Sequence, residues 1–250
     1  MTGMGLGFAL ALSACGSGVS LPTIDLPSVD LSMLSSPPEE QPAEQAAAES
    51  AAKPVDVAEL MKAGPLGEKT MGKPNAPVTV IEYASLSCTE CAEFHKTVFP
   101  QFKKAYIDKG KVFYIYRDFP AGPSSATATM AARCVPEKDF FKLVDKLYEH
   151  QTEWAAQEVK ADDIYNVVKE MRVKRDAFDT CLKNQNINDG LVWVKERGRQ
   201  FGVSGTPTFF INGQKTRGGL SMDELSKLID PLLVSPSAKS NPKPSHRRPT

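Results

Sequence analysis

The chain has 250 residues, 41% of them apolar and 24% charged, with 30 basic side chains balanced by 30 acidic ones. That balance excludes a general polyanion binder, so no nucleic acid is expected as a partner, and the profile is that of one or two ordinary domains. The longest mostly apolar stretch, residues 6–12, is far below the ~20 residues that a membrane-spanning helix needs.

Residues 6–15 are a short apolar segment ending in small residues, which reads as an export signal. Leu12-Ser13-Ala14-Cys15 resembles the lipobox of bacterial lipoproteins, in which the cysteine is lipidated and anchors the mature chain. Residues 1–14 are therefore expected to be a lipoprotein signal peptide, with an ordinary secretory signal cleaved after Ala9-Leu10-Ala11 as the alternative. No Lys or Arg precedes the apolar run, which fits export poorly and points to a start further upstream. Residues 15–55 read as a disordered tether: between 16 and 54 lie six prolines and six acids against one Lys. An alanine-rich helix over 39–52 is the competing reading, and it lacks a packing seam.

Residues 56–234 are long enough for a real core with an insertion. Residues 78–83 are β-rich, and helix-spaced apolar groups follow at Phe94, Val98, Phe102 and Ala105, with Pro100 as a possible kink. Residues 112–116 read as a buried strand, so strand, helix and strand form a right-handed parallel crossover. From about 120 to 201 the pattern is helical, with apolar positions 140, 141, 144, 147 and 148, then 164, 167, 168 and 171, then 178, 181 and 182. Strand character returns at 208–211, Asn212-Gly213 supplies a hairpin turn, and Ser221 with Glu224 forms a capping box for a last helix. Without the helical block, the order is the thioredoxin arrangement: an α/β thioredoxin fold with a helical domain inserted between the parallel strands and a proline-led hairpin. Residues 235–250, with four prolines, four basic residues and no acid, read as a disordered basic tail.

Cys88-Thr89-Glu90-Cys91 falls where the first strand has ended and the first helix begins. Unpaired N–H groups and the helix dipole favour a thiolate at Cys88, while Cys91 lies one turn deeper. Cys88 is expected to attack and Cys91 to resolve, in a dithiol–disulfide cycle. Haem attachment is excluded, because Ala92 stands where histidine is needed. Structural zinc would have to recruit His95, and the chain has only three histidines and no second C-x-x-C; a histidine on a buried face is the better reading. A purely structural disulfide at 88 and 91 would close too short a loop to constrain much chain. No metal site and no cofactor is expected. Thr206-Pro207 directly precedes a strand, and its peptide bond is a candidate cis bond. Glu82, in the strand leading to the motif, is either a buried acid exchanging the Cys91 proton or a residue on the exposed face.

These features together resemble the DsbA family of thiol:disulfide oxidoreductases of the bacterial envelope. The resemblance spans about residues 64–233 and is carried by residues 76–85, the C-x-x-C, Phe94-His95, residues 110–112, Arg117-Asp118-Phe119-Pro120 and residues 205–213. It implies a thioredoxin fold interrupted by helices, export, and exchange with reduced or unfolded exported proteins by Cys88, Cys91, Thr206 and Pro207. A membrane redox partner that recycles the pair is implied too, with the chain on the periplasmic side, lipid-anchored or soluble. The departure is Thr89-Glu90, where strongly oxidising members usually have Pro-His. The Glu90 charge should oppose the thiolate and make a weaker oxidant, so a dedicated reductase stays open beside disulfide formation. A non-catalytic Cu(I)-binding module is the reading from another class, without a Met-rich or His-rich tract to help it. Cys134 and Cys181 flank the inserted helices and are expected to pair in an oxidising compartment, with two buried free thiols as the alternative.

Overall fold

The structure is a computed structural model that describes residues 55–156 and 158–234. The signal peptide, Cys15, nearly all of the 15–55 tether and the 235–250 tail lie outside the described residues.

Two strands buried on both faces organise the domain. β2 (Val78–Ala84) and β3 (Val112–Asp118) have no exposed position and pair in parallel, Val78 opposite Val112 and Ala84 opposite Asp118. Such strands come from near-continuous apolar runs, because helices cover both sides. β4 (Thr208–Ile211) adds antiparallel to β2, and β5 (Gln214–Arg217) to β4. The turn between them places Asn212 at φ +47° and Gly213 at +88°. Asn212 also ties the hairpin to β2, since its Oδ1 accepts the Thr79 N–H at 2.8 Å and its N–H meets the Thr79 carbonyl at 2.9 Å. A fifth strand, β1 (Lys69–Met71), lies antiparallel on the outer edge of β3, and a short helix, α1 (Val57–Leu60), precedes it; neither is expected from the sequence pattern. The sheet order is β1-β3-β2-β4-β5.

The helical run that follows β2 is not uniform. α2 (Thr89–Glu93) and α3 (Phe99–Phe102) are α-helical, and each is followed by a π-helical turn, Phe94–Val98 and Lys103–Ile107. The wider turns bring Phe94, His95 and Phe99 together on the face toward the sheet, and Pro100 sits near the start of α3, where its missing N–H costs least. Pro100 therefore accompanies a change of winding.

The insertion consists of α4 (Pro123–Cys134), α5 (Phe140–Glu149), α6 (Gln151–Trp154), α7 (Ala161–Val168), α8 (Arg175–Cys181) and α9 (Gln185–Gln200). α10 (Met222–Val234) closes the domain on the expected capping box: the Ser221 N–H reaches Glu224 at 2.8 Å and the Glu224 N–H reaches Ser221 Oγ at 3.3 Å.

The sheet separates two cores. One holds Val80, Tyr114, Tyr116 and Phe209 with α2, α3 and the α4, α5, α6, α7 and α8 helices of the insertion. The other holds Ile81, Tyr83, Phe113 and Phe210 with Leu60 and Val194. Trp154 belongs to the first, 1% exposed, its indole N–H on the Leu147 carbonyl at 2.8 Å; Trp193 on α9 is 41% exposed. Buried charge is matched where it occurs. Arg117 bonds Glu68 at 2.7 Å and the Tyr83 hydroxyl at 2.9 Å, and Arg133 pairs with Asp118 at 2.5 Å.

Candidate active site

β2 delivers the chain to the sheet's C-terminal edge, the loop 85–88 turns it, and Cys88 becomes the N-cap of α2. Its backbone is extended, φ −79° and ψ 122°, and its sulfur accepts the Cys91 N–H at 3.2 Å, so the thiol satisfies a donor that a helix start leaves open. The same sulfur lies 3.2 Å from the Thr206 carbonyl, which can accept only from the thiol form. The Thr206–Pro207 bond is cis, and the Gly218 N–H holds the Pro207 carbonyl at 3.0 Å.

The two sulfurs have opposite surroundings. Cys88 is half-buried and Cys91 fully so; both are free thiols. The hydrogen bond from Cys91 draws the Cys88 pKa down to about 6 against the pull of burial, with help from the Thr206 side chain and the N–H groups of Cys91 and Glu90. Burial pushes Cys91 far up, and its bond to Cys88 and the Glu82 charge push the same way. A thiol drawn toward its thiolate thus stands beside one whose proton burial holds in place.

Of the two faces open to Glu82, the structure has the inner one. Glu82 lies on the same side of β2 as Val80 and Ala84, fully buried, and accepts the Tyr114 hydroxyl at 2.5 Å. His95 is buried beside it, Nε2 3.2 and 3.3 Å from the two carboxylate oxygens. Thr89 and Glu90 are exposed on the first turn of α2. The left-handed turn at Gly218, φ +84°, passes so close that a Cβ there would lie 4.0 Å from a Glu90 carboxylate oxygen.

Several residues that sequence reasoning does not single out shape the site. Gln151 reaches from the insertion and donates to the Leu86 and Cys88 carbonyls at 2.6 and 3.0 Å. Ser85 is bonded to Ser125 at 2.8 Å and to the Ala121 N–H at 3.1 Å. The insertion thereby clamps the loop from which Cys88 projects. A buried glutamine in a helical stretch carries no signal of its own in one sequence.

Cys134 and Cys181 lie elsewhere, joined as a disulfide between the C-terminal ends of α4 and α8, with Cα atoms 6.1 Å apart. Among the described residues no group of His, Cys, Asp and Glu is arranged to hold a metal, and no helix is long and apolar enough to cross a membrane.

The profile of the Thioredoxin family matches residues 66–231. The provisionally named protein-disulfide oxidoreductase of Rickettsia felis is 29% identical over 178 residues, covering 69% of this chain and 63% of the relative, so the chain spans less than two thirds of that protein. Disulfide bond formation protein D of Bacillus subtilis is 26% identical over 175 residues, 67% of this chain and 78% of the relative. Among solved structures, alpha-DsbA1 of Wolbachia pipientis superposes with a TM-score of 0.65 at 31% identity, over 70% of this chain and 94% of that one.

Proposed function

The chain belongs to the DsbA-like members of the thioredoxin family, and from that premise we propose that it is a thiol:disulfide oxidoreductase that forms or exchanges disulfides in exported proteins. The observation that carries the reading is the divided cysteine pair, Cys88 drawn down to about 6 and Cys91 buried with its proton.

The chemistry follows from that division. With the pair oxidised, a client thiolate attacks Cys88 Sγ, the bond to Cys91 breaks, and Cys91 leaves as a thiolate that takes up a proton. A second client thiolate then attacks the client sulfur of the mixed disulfide, closing the client's disulfide and releasing Cys88 as a thiolate. Two client thiols are oxidised and one enzyme disulfide is reduced. Stabilising the Cys88 thiolate favours the reduced enzyme and so makes its disulfide the stronger oxidant. Thr206 and Pro207 border the sulfur, and the backbone beside them offers an edge for an extended client segment. Glu82, next to the buried thiol, is the acid that exchanges the Cys91 proton.

The partners are reduced exported proteins and a membrane component that reoxidises the pair. The location is the periplasmic side of a bacterial envelope, with Cys15 lipidated, residues 15–55 as tether and the helices of about 120–201 as a lid. The Cys134–Cys181 bond fits an oxidising compartment. Glu90 supports a second reading, a reductase, because a negative charge near Cys88 works against the thiolate.

Titrating the pair of the full chain against glutathione buffers tests this. Disulfide donation requires a midpoint well above the about −270 mV of thioredoxin, whereas a value near it gives the reductase. Absence of any reversible two-electron transition would remove both.

A further inference from the structure

The pair beneath Cys91 has a second member whose task dithiol exchange alone does not explain. The side chains of Glu82 and His95 are 0% and 1% exposed. The imidazole is stacked on Tyr148, ring centres 4.7 Å apart, and faces Phe99 at 4.8 Å, with Tyr116 edge-on at 5.9 Å. Its Nε2 meets the Glu82 carboxylate, whereas Nδ1 is buried with no hydrogen-bond partner among the described residues. The titratable groups around this pair are Cys91 and Cys88 on its own helical run, Tyr114 and Tyr116 from β3, and Asp145 and Tyr148 from α5.

The bare Nδ1 decides what the ring can be. An imidazolium has a donor on both nitrogens, and protonating Nδ1 here would bury a charged N–H among aromatic rings with its desolvation uncompensated. A neutral ring with its hydrogen on Nε2 donates to Glu82 and leaves only a lone pair unmatched. Together with the Tyr114 hydroxyl, that places two fixed donors on one carboxylate and sets its orientation from two sides.

We propose that His95 is a positioning residue for the resolving step: as a fixed neutral donor, it holds the Glu82 carboxylate aligned to take the proton from Cys91 when Cys91 attacks. This rests on reading Cys88 and Cys91 as a redox pair. With oxidised glutathione as oxidant, the Cys88 thiolate attacks one sulfur, expels a glutathione thiolate and forms a mixed disulfide. Cys91 then gives its proton to Glu82, its sulfur attacks Cys88 Sγ, and the second glutathione thiolate leaves. Glu82 returns the proton to solvent. Two enzyme thiols are oxidised while one glutathione disulfide becomes two thiols.

The test is rapid mixing of the reduced full chain with oxidised glutathione, acid quenching, and mass spectrometry of the glutathionyl intermediate from pH 5 to 9. His95→Phe keeps an aromatic ring in the stack without the donor; His95→Gln keeps a donor that cannot carry the proton. In His95→Phe, resolution of the intermediate is expected to slow about tenfold at neutral pH, equivalent to moving its pH midpoint up by about one unit. His95→Gln is expected to stay within about twofold of wild type, and formation of the intermediate by Cys88 should be unchanged in both. If His95→Phe does not fold, Tyr114→Phe removes the other donor and must move the midpoint the same way. An unmoved midpoint in the folded donor-deleted variant overturns the proposal, and so does His95→Gln behaving as His95→Phe, because the ring would then be the proton carrier. If wild type forms no glutathionyl intermediate at all, the redox reading itself falls, which is a different failure.

Discussion

The two cysteine pairs of the described chain sit at opposite ends of helices. Cys88 caps the N-terminus of α2, where its sulfur collects N–H groups, and both members of its pair are free thiols. Cys134 and Cys181 are the last residues of α4 and α8, where carbonyls point outward, and they are bonded to each other. The positive end of a helix stabilises a thiolate and the negative end opposes one. Sequence distance divides the pairs as well: two residues separate the first, and a sequence separation of 47 gives the second a large loop to constrain. Identical side chains thus stand as free thiols at one helix end and as a cross-link at the other.

The sharpest break of this contrast is Cys88→Ser, which should abolish thiol–disulfide exchange, assayed as insulin reduction, while the fold persists. Cys134→Ala with Cys181→Ala should do the reverse, lowering the unfolding free energy by about 4 kcal/mol in urea denaturation while Cys88 alkylation is unaltered. If that double variant lost exchange but not stability, the division of labour would be wrong. Gln151→Leu tests whether the insertion serves the reactive pair: two carbonyls of the Cys88 loop lose their donor, which should cost about 1–3 kcal/mol and slow client exchange.

The pH dependence sharpens the comparison further. The folded Cys88 value of about 6 lies below a thiol's ordinary 9.0, so from about pH 6 to 9 the folded reduced protein binds fewer protons than its unfolded chain. The Cys88 contribution to stability should rise across that window and be lost as pH falls through 6, while above about 9 the buried Cys91, which keeps its proton in the fold, works in the opposite direction. Iodoacetamide alkylation should share that midpoint, and a midpoint near 9 would contradict the site. Smallest of all, Glu90→His should raise the potential by on the order of 30 mV, a tenfold change in the exchange constant. Glu90 is exposed, so solvent screens much of its charge.

What could be read in the sequence tracks how local the signal is. The C-x-x-C at a helix start, the Asn212-Gly213 turn and the Ser221/Glu224 cap are each fixed by neighbours a few residues away. The three-residue β1 is too short to show a period, and the π-helical turns after α2 and α3 leave no recognised residue pattern. Glu82 defeated alternation for a physical reason: β2 is buried on both faces, so its residues are inward-facing either way. Gln151 and His95 take their places from contacts 63 residues away in the first case and across the β2–α2 turn in the second. Such contacts depend on the assembled fold.

Trp154 and Trp193 give the molecule a built-in optical gauge. Trp154 follows Gln151 by three residues in α6 and is sealed in the core, whereas Trp193 faces partly into water. Trp154 will emit toward the blue and resist acrylamide quenching; Trp193 will emit toward the red and be quenched readily. Because α6 also carries the glutamine that clamps the Cys88 loop, the blue component reports, without any added label, whether the insertion is seated on the reactive cysteine.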